Sequence, residues 1–122
     1  MGGCAPRHGR VDRIARGAVV LVALQGDYGK PRPAVVVQSD LFNQTHGSIS
    51  VVPATTTLID APLFRLTVEP SPGNGLRGLS QLMIDKVTAV RRDRIAATIG
   101  SLEDDGMLRV TRALALWLGI AG

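Results

Sequence analysis

The segment Lys30-Pro31-Arg32-Pro33 runs directly into the apolar stretch Ala34-Val35-Val36-Val37. Pro31 has its φ fixed by its ring, and Pro33 drives the residue before it into extended φ/ψ, so the backbone at Arg32 is stiff. A guanidinium on such a backbone is either a pre-oriented clamp for phosphate oxygens or a solubilising cation where an edge strand starts. A second group, Pro53-Ala54-Thr55-Thr56-Thr57, sets three hydroxyls where a strand ends. They can donate to phosphate, or they can satisfy local backbone groups, which is the commoner use of a Thr run at a sheet end. The third group is Gln81-Leu82-Met83-Ile84-Asp85-Lys86. On a strand, Ile84 and Asp85 face opposite sides and Lys86 returns to the first. An aspartate in so apolar a run needs a partner. It is a general base, a recognition group, or half of an ion pair with one of the arginines. The neighbouring Arg91-Arg92-Asp93-Arg94 reads as a solvated charged turn that can also touch a nucleic-acid backbone.

Other chemistry has no residues to perform it. Glycine-rich phosphate loops ending in Lys-Ser or Lys-Thr, His-Glu-x-x-His and paired cysteines are all absent from the sequence, and His8 and His46 are isolated. Cys4 is the sole cysteine, which excludes an intrachain disulfide and a cysteine-based zinc site and suits a reducing compartment, the cytoplasm. No metal and no cofactor are expected. Fourteen Lys and Arg against ten Asp and Glu give a net charge of +4, and twelve of the fourteen are Arg. A planar fork matches phosphate oxygens, so the balance favours a polyanionic partner such as nucleic acid, although a charge of this size is also common among small soluble domains.

Something must hold these groups in place, and 122 residues suffice for one core. Apolar residues make up 45% of the chain and aromatics only 3%, so packing is aliphatic. The continuous run Ala18 to Leu24 has the composition of a strand buried on both faces, Gln25 to Lys30 that of a mobile hairpin loop, and Ala34 to Val37 that of the returning strand. Ser39 to Asn43 reads as a capped helical turn, Ser48 to Val52 and Leu63 to Glu69 as strands, and Leu79 to Val90 as one more. From Ser101 the period becomes helical: Met107, Val110, Leu114 and Trp117 or Leu118 share a face, with Glu103, Asp104 and Asp105 at the positive end. Short strands followed by one C-terminal helix imply an α+β domain, a curled antiparallel sheet or small barrel of five to seven strands. Residues 1–15 read as a disordered basic leader without a secretory signal, and residues 16–122 as the domain. No apolar run is long enough to span a bilayer.

Taken together, Arg16-Gly17 before a strand, Lys30 to Val37, Val51-Val52-Pro53-Ala54-Thr55-Thr56, Asp85-Lys86 and the final helix resemble the MazF/PemK toxin family from about Arg16 to the end. The resemblance implies an SH3-like barrel that forms a homodimer. It also implies a metal-independent, sequence-specific endoribonuclease toxin of a type II toxin–antitoxin system, inhibited by a cognate antitoxin and reaching operator DNA only through the antitoxin complex. Arg32 matches the family's catalytic arginine, Thr55 its catalytic threonine with Thr56 one residue away, and Asp85 an acidic residue some members use near the scissile phosphate. Two departures stand out. Ala18 follows Arg16-Gly17 where the family commonly has an acid, and Lys86 follows Asp85 where many members have Gln. The second bears on base preference, because an amide donates and accepts whereas an ammonium only donates.

Cleavage of RNA by its own 2′-OH requires a proton acceptor, stabilisation of charge on the phosphoryl oxygens and a proton donor for the leaving 5′-oxygen. Arg32 and Thr55 can stabilise charge. Whether Arg32 or Asp85 takes the proton stays open: a guanidinium is a poor base at neutral pH, yet the resemblance puts arginine at the centre of the acid–base chemistry. Tyr28 is a stacking platform for an unpaired base, and Lys30, Thr56, Gln81 and Lys86 complete the expected RNA contacts. The alternative is a non-enzymatic toxin of the same fold, resembling the gyrase poison CcdB, which acts through C-terminal residues. Trp117-Leu118-Gly119-Ile120 keeps that reading open.

Overall fold

In a computed structural model of the chain, residues 13–24 and 30–121 are described. The first apolar run forms β1 (Ala18–Ala23) and the Pro-Arg-Pro segment opens β2 (Pro31–Val36), which pairs back antiparallel on β1. A four-residue helix, α1 (Asp40–Asn43), follows, capped as its sequence requires: Ser39 Oγ accepts the Leu41 N–H at 3.1 Å. The longest strand, β3 (Ser48–Thr55), pairs with β2 on one edge. On its other edge its first half pairs with β6 (Thr88–Arg91) and its end with β5 (Ser80–Met83). The sheet continues from β5 to β4 (Arg65–Val68) and, at the opposite side, from β1 to β7 (Ile95–Ser101). A 14-residue helix, α2 (Asp104–Trp117), ends the fold. The result is the expected α+β architecture: among the described residues, seven antiparallel strands, barrel-like but with the order β4-β5-β3-β2-β1-β7, and β6 beside β3 off that path, left unclosed.

Side chains alternate across a strand, and here both faces are buried along most of β1 and β3 and the second half of β2, from Ala34 to Val36. Val19, Val35, Val52 and Leu82 pack on one side with Val110 and Ala113 of α2. Val20, Val22, Ala34, Val36, Ile49 and Val51 form a second cluster with Ile95 on the other. This double burial explains why the β1 run is apolar without alternation. Two register shifts where β1 meets β7, at Val19/Val20 and at Leu21/Val22, add bends of the kind that curl a sheet. Ile14 is fully buried in the second cluster although it lies inside the stretch read from sequence as leader. Residues 1–12 and 25–29, which include most of that leader and of the first hairpin loop, fall outside the described residues.

One expectation changes. The segment from Leu79 to Val90 is not one strand: β5 ends at Met83, a 3₁₀ turn spans Ile84–Lys86, and β6 starts at Thr88. The cause is tertiary. Ile84 is fully buried and donates its N–H to the Phe64 carbonyl at 3.0 Å, which anchors the chain where it must turn to reach the far half of β3. The stretch Ile95–Ser101, to which the sequence reading assigns no element, forms β7, paired antiparallel with β1.

Among the described residues, no helix is long and apolar enough to cross a membrane.

Candidate active site

The β2–β3 register pairs Val36 with Val51, Val35 with Val52 and Ala34 with Pro53. Continued two residues further, it sets Arg32 opposite Thr55. Both residues line a cleft of about 270 Å³ together with Pro33, Ala54, Thr56 and Ser80. The sequence groups around Arg32 and Thr55, separate in the chain, are therefore brought together by strand pairing.

Thr55 is half-buried at the end of β3. Its Oγ1 accepts the Thr57 N–H at 3.1 Å, which satisfies one lone pair and leaves the hydroxyl proton for an acceptor in the cleft. Thr56, beside it, is exposed, as is Lys30 at the mouth of β2. Ser80, which no sequence signal singled out, is buried in the cleft wall and donates from Oγ to the Gly78 carbonyl at 2.9 Å. It enters the site only because β5 lies beside β3, a long-range pairing that local sequence does not encode.

Gln81 sits opposite Thr55 on β5 and is almost fully buried. Its Oε1 accepts the Ile59 N–H at 3.0 Å and its Nε2 donates to the Ile59 carbonyl at 2.9 Å. The amide thus holds the loop that leaves Thr55 to Thr57. Tyr28 lies outside the described residues.

Asp85 and Lys86 are placed elsewhere. Both lie in the 3₁₀ turn past β5, Lys86 exposed and Asp85 outside the lining of the Arg32 cleft. Arg65 of β4 grips Asp85 with both arms, Nε to Oδ1 at 2.8 Å and Nη2 to Oδ2 at 3.1 Å. Hydrogen bonding to that guanidinium holds the Asp85 carboxyl below the usual carboxylate range, against the opposing effect of burial. Because the folded state lowers this pKa, the pair contributes its full stability above the ordinary aspartate value and loses it as pH falls through the lowered one. Asp85→Asn is therefore expected to cost on the order of 2 kcal/mol near neutral pH by leaving Arg65 half-satisfied. Chemical denaturation across pH should show the gap from wild type shrinking below about pH 3.9. A gap independent of pH contradicts this role.

At the far end of the chain, Trp117 packs on Phe64 with ring centroids 5.6 Å apart. Leu116, Leu118 and Ile120 stay largely exposed beside it.

An unclosed, barrel-like antiparallel sheet with a C-terminal helix packed on it and a cleft lined by Arg32, Thr55, Thr56 and Ser80 defines a small α+β fold. Residues 15–118 match the PemK-like, MazF-like toxins of type II toxin–antitoxin systems, and the chain belongs to that family. It is 48% identical over 110 residues, 89% of this chain and all of the relative, to a protein of Mycolicibacterium smegmatis named a probable endoribonuclease MazF. Among solved structures, the toxin MazF-mt6 of Mycobacterium tuberculosis superposes with a TM-score of 0.74 at 18% identity, over 86% of this chain and 99% of that one. A chain of a MazE-MazF crystal structure from Deinococcus radiodurans gives 0.73 at 23% identity, over 88% of this chain and 97% of that one. These two likenesses show the shared fold.

Proposed function

We propose that the protein is the toxin of a toxin–antitoxin pair, an endoribonuclease that cuts single-stranded RNA at a preferred sequence without a metal ion. The observation that carries the reading is the meeting of Arg32 and Thr55 across β2 and β3 in one cleft. The likeness to a relative named as an endoribonuclease supports the same reaction. In the step we propose, the 2′-oxygen attacks the adjacent phosphorus, the bond from phosphorus to the 5′-oxygen breaks, and the products end in a 2′,3′-cyclic phosphate and a 5′-hydroxyl. The proton lost by the 2′-oxygen is balanced by one delivered to the leaving 5′-oxygen. Arg32 offers a two-point cationic contact to the phosphoryl oxygens and Thr55 a neutral donor, both aimed at charge that grows in the transition state. Lys30 and Thr56 hold the flanking backbone. Asp85, committed to Arg65, is a weaker candidate for the base than its sequence position implied.

The presence of a donor cleft favours this reading over a toxin that only binds its target. Incubating the purified protein with a random-sequence RNA pool and mapping the new ends tests it. Cuts concentrated at one short sequence are expected, and an uncut pool contradicts the proposal.

Two partners complete it. A cognate antitoxin would present an acidic segment where RNA phosphates otherwise lie. A second copy of the chain would cover the apolar surface at Leu116, Leu118 and Ile120. Sedimentation at micromolar concentration should then show a dimer, and a strictly monomeric boundary counts against it.

A further inference from the structure

A second cleft, of about 510 Å³, adjoins the first and shares Pro33, Thr56 and Ser80 with it. Its other walls include Leu21, Pro31, Leu76 and Ile99, with Arg77 and Gly78 at its edge. We propose that this cleft is a nucleobase subsite, holding the base next to the scissile phosphate with the Arg77 guanidinium stacked against it. The inference rests on the ribonuclease reading and adds to it a recognition element.

Three observations carry it. The first is continuity: a phosphate seated between Arg32 and Thr55 leaves its nucleoside no more than one shared wall from the apolar floor. The second is chemistry. Proline rings and aliphatic side chains make a flat apolar surface for a heterocycle, and a planar guanidinium stacks on any base. Arg77 is exposed, and among the described residues no side-chain hydrogen bond or ion pair holds it.

The third observation is rigidity. The loop before Arg77 is locked from within by Asn74, whose Oδ1 accepts the N–H groups of Ser71 and Leu76, each at 3.0 Å, and whose Nδ2 donates to the Glu69 carbonyl at 2.9 Å. It is locked from outside by β7. Ser101 donates its N–H to the Gly73 carbonyl at 2.9 Å, and Gly100 approaches the loop so closely that an added Cβ would lie 2.5 Å from the Gly73 oxygen. Arg77 therefore leaves a fixed backbone, one residue after the buried Leu76. A loop that merely connects β4 to β5 has no need of such anchoring at the rim of a cleft.

The test uses the full chain and a short RNA carrying the mapped cleavage sequence, intact or with the base removed from the nucleotide on either side of the cut. Wild type should slow about tenfold when one of the two bases is missing. Arg77→Ala, at an exposed position, and Gly78→Leu, which adds bulk at a lining residue where a Cβ meets nothing within 4 Å, should each slow cleavage of intact RNA by a similar factor. On the abasic RNA neither variant should lose much more, because the contact is already gone. Wild-type rates for Arg77→Ala on intact RNA, or losses that multiply in full with base removal, overturn the subsite. So does a defect confined to antitoxin inhibition, which gives the cleft to the protein partner. Wild type that cuts no RNA defeats the ribonuclease reading itself, an outcome distinct from the others.

Discussion

Arg32→Ala is expected to lower single-turnover RNA cleavage by ~10²–10³ while leaving the circular dichroism spectrum unchanged. The side chain is exposed at the start of β2 and takes no part in either apolar cluster, so its loss removes a charge from the cleft and not a piece of the core. Backbone geometry around it survives because Pro31 and Pro33 fix it independently of the side chain. Arg32→Lys should recover little, since an ammonium cannot reproduce the planar two-point contact to phosphate oxygens. Thr55→Ala should cost less than Arg32→Ala, because a neutral hydroxyl supplies one weaker bond. A folded Arg32→Ala protein that cuts at a near wild-type rate contradicts the site.

The largest effect on stability is expected at Gly75. Its φ of +70° is strained for any side chain, and a Cβ there would lie 2.2 Å from the Ile99 carbonyl oxygen. That obstacle is backbone of β7, which is itself paired with β1 and cannot retreat without opening the sheet. Left-handed strain and overpacking act together, so Gly75→Ala should destabilise the protein by about 3 kcal/mol. Thermal unfolding measures it. Gly78→Ala is the internal control: its Cβ meets nothing within 4 Å and the change should shift stability by less than about 0.5 kcal/mol. Equal melting of the two variants contradicts the claim that the loop is clamped to β7.

The contrast between these glycines shows what a sequence discloses. Residues whose roles are set by their own neighbours were legible: the prolines around Arg32, the Ser39 cap, the doubly buried β1 run and the helical period of α2. Partners set by strand pairing were not. Asp85 needed a counter-ion by elementary electrostatics, but choosing Arg65 among twelve arginines required knowing that β4 lies beside β5. Gln81 carries no local sign that Ile59 would use both ends of its amide. Ser80 reaches the first cleft because β5 lies beside β3, and Arg77 the second from a loop held against β7. The break between β5 and β6 was hidden because Leu82, Ile84 and Val87 suit a continuous strand as well as a turn anchored by the burial of Ile84.

In the mechanism we propose, Arg32 and Thr55 promote attack by the RNA's own 2′-oxygen with no metal ion. One measurement addresses it: single-turnover cleavage of the mapped RNA in excess chelator, beside the same RNA with a single 2′-deoxy nucleotide on the 5′ side of the cut. An unchanged rate with chelator, a 2′,3′-cyclic phosphate on the product, and no cleavage of the deoxy-substituted strand are expected. Activity abolished by the chelator, or retained on the deoxy-substituted strand, would contradict it.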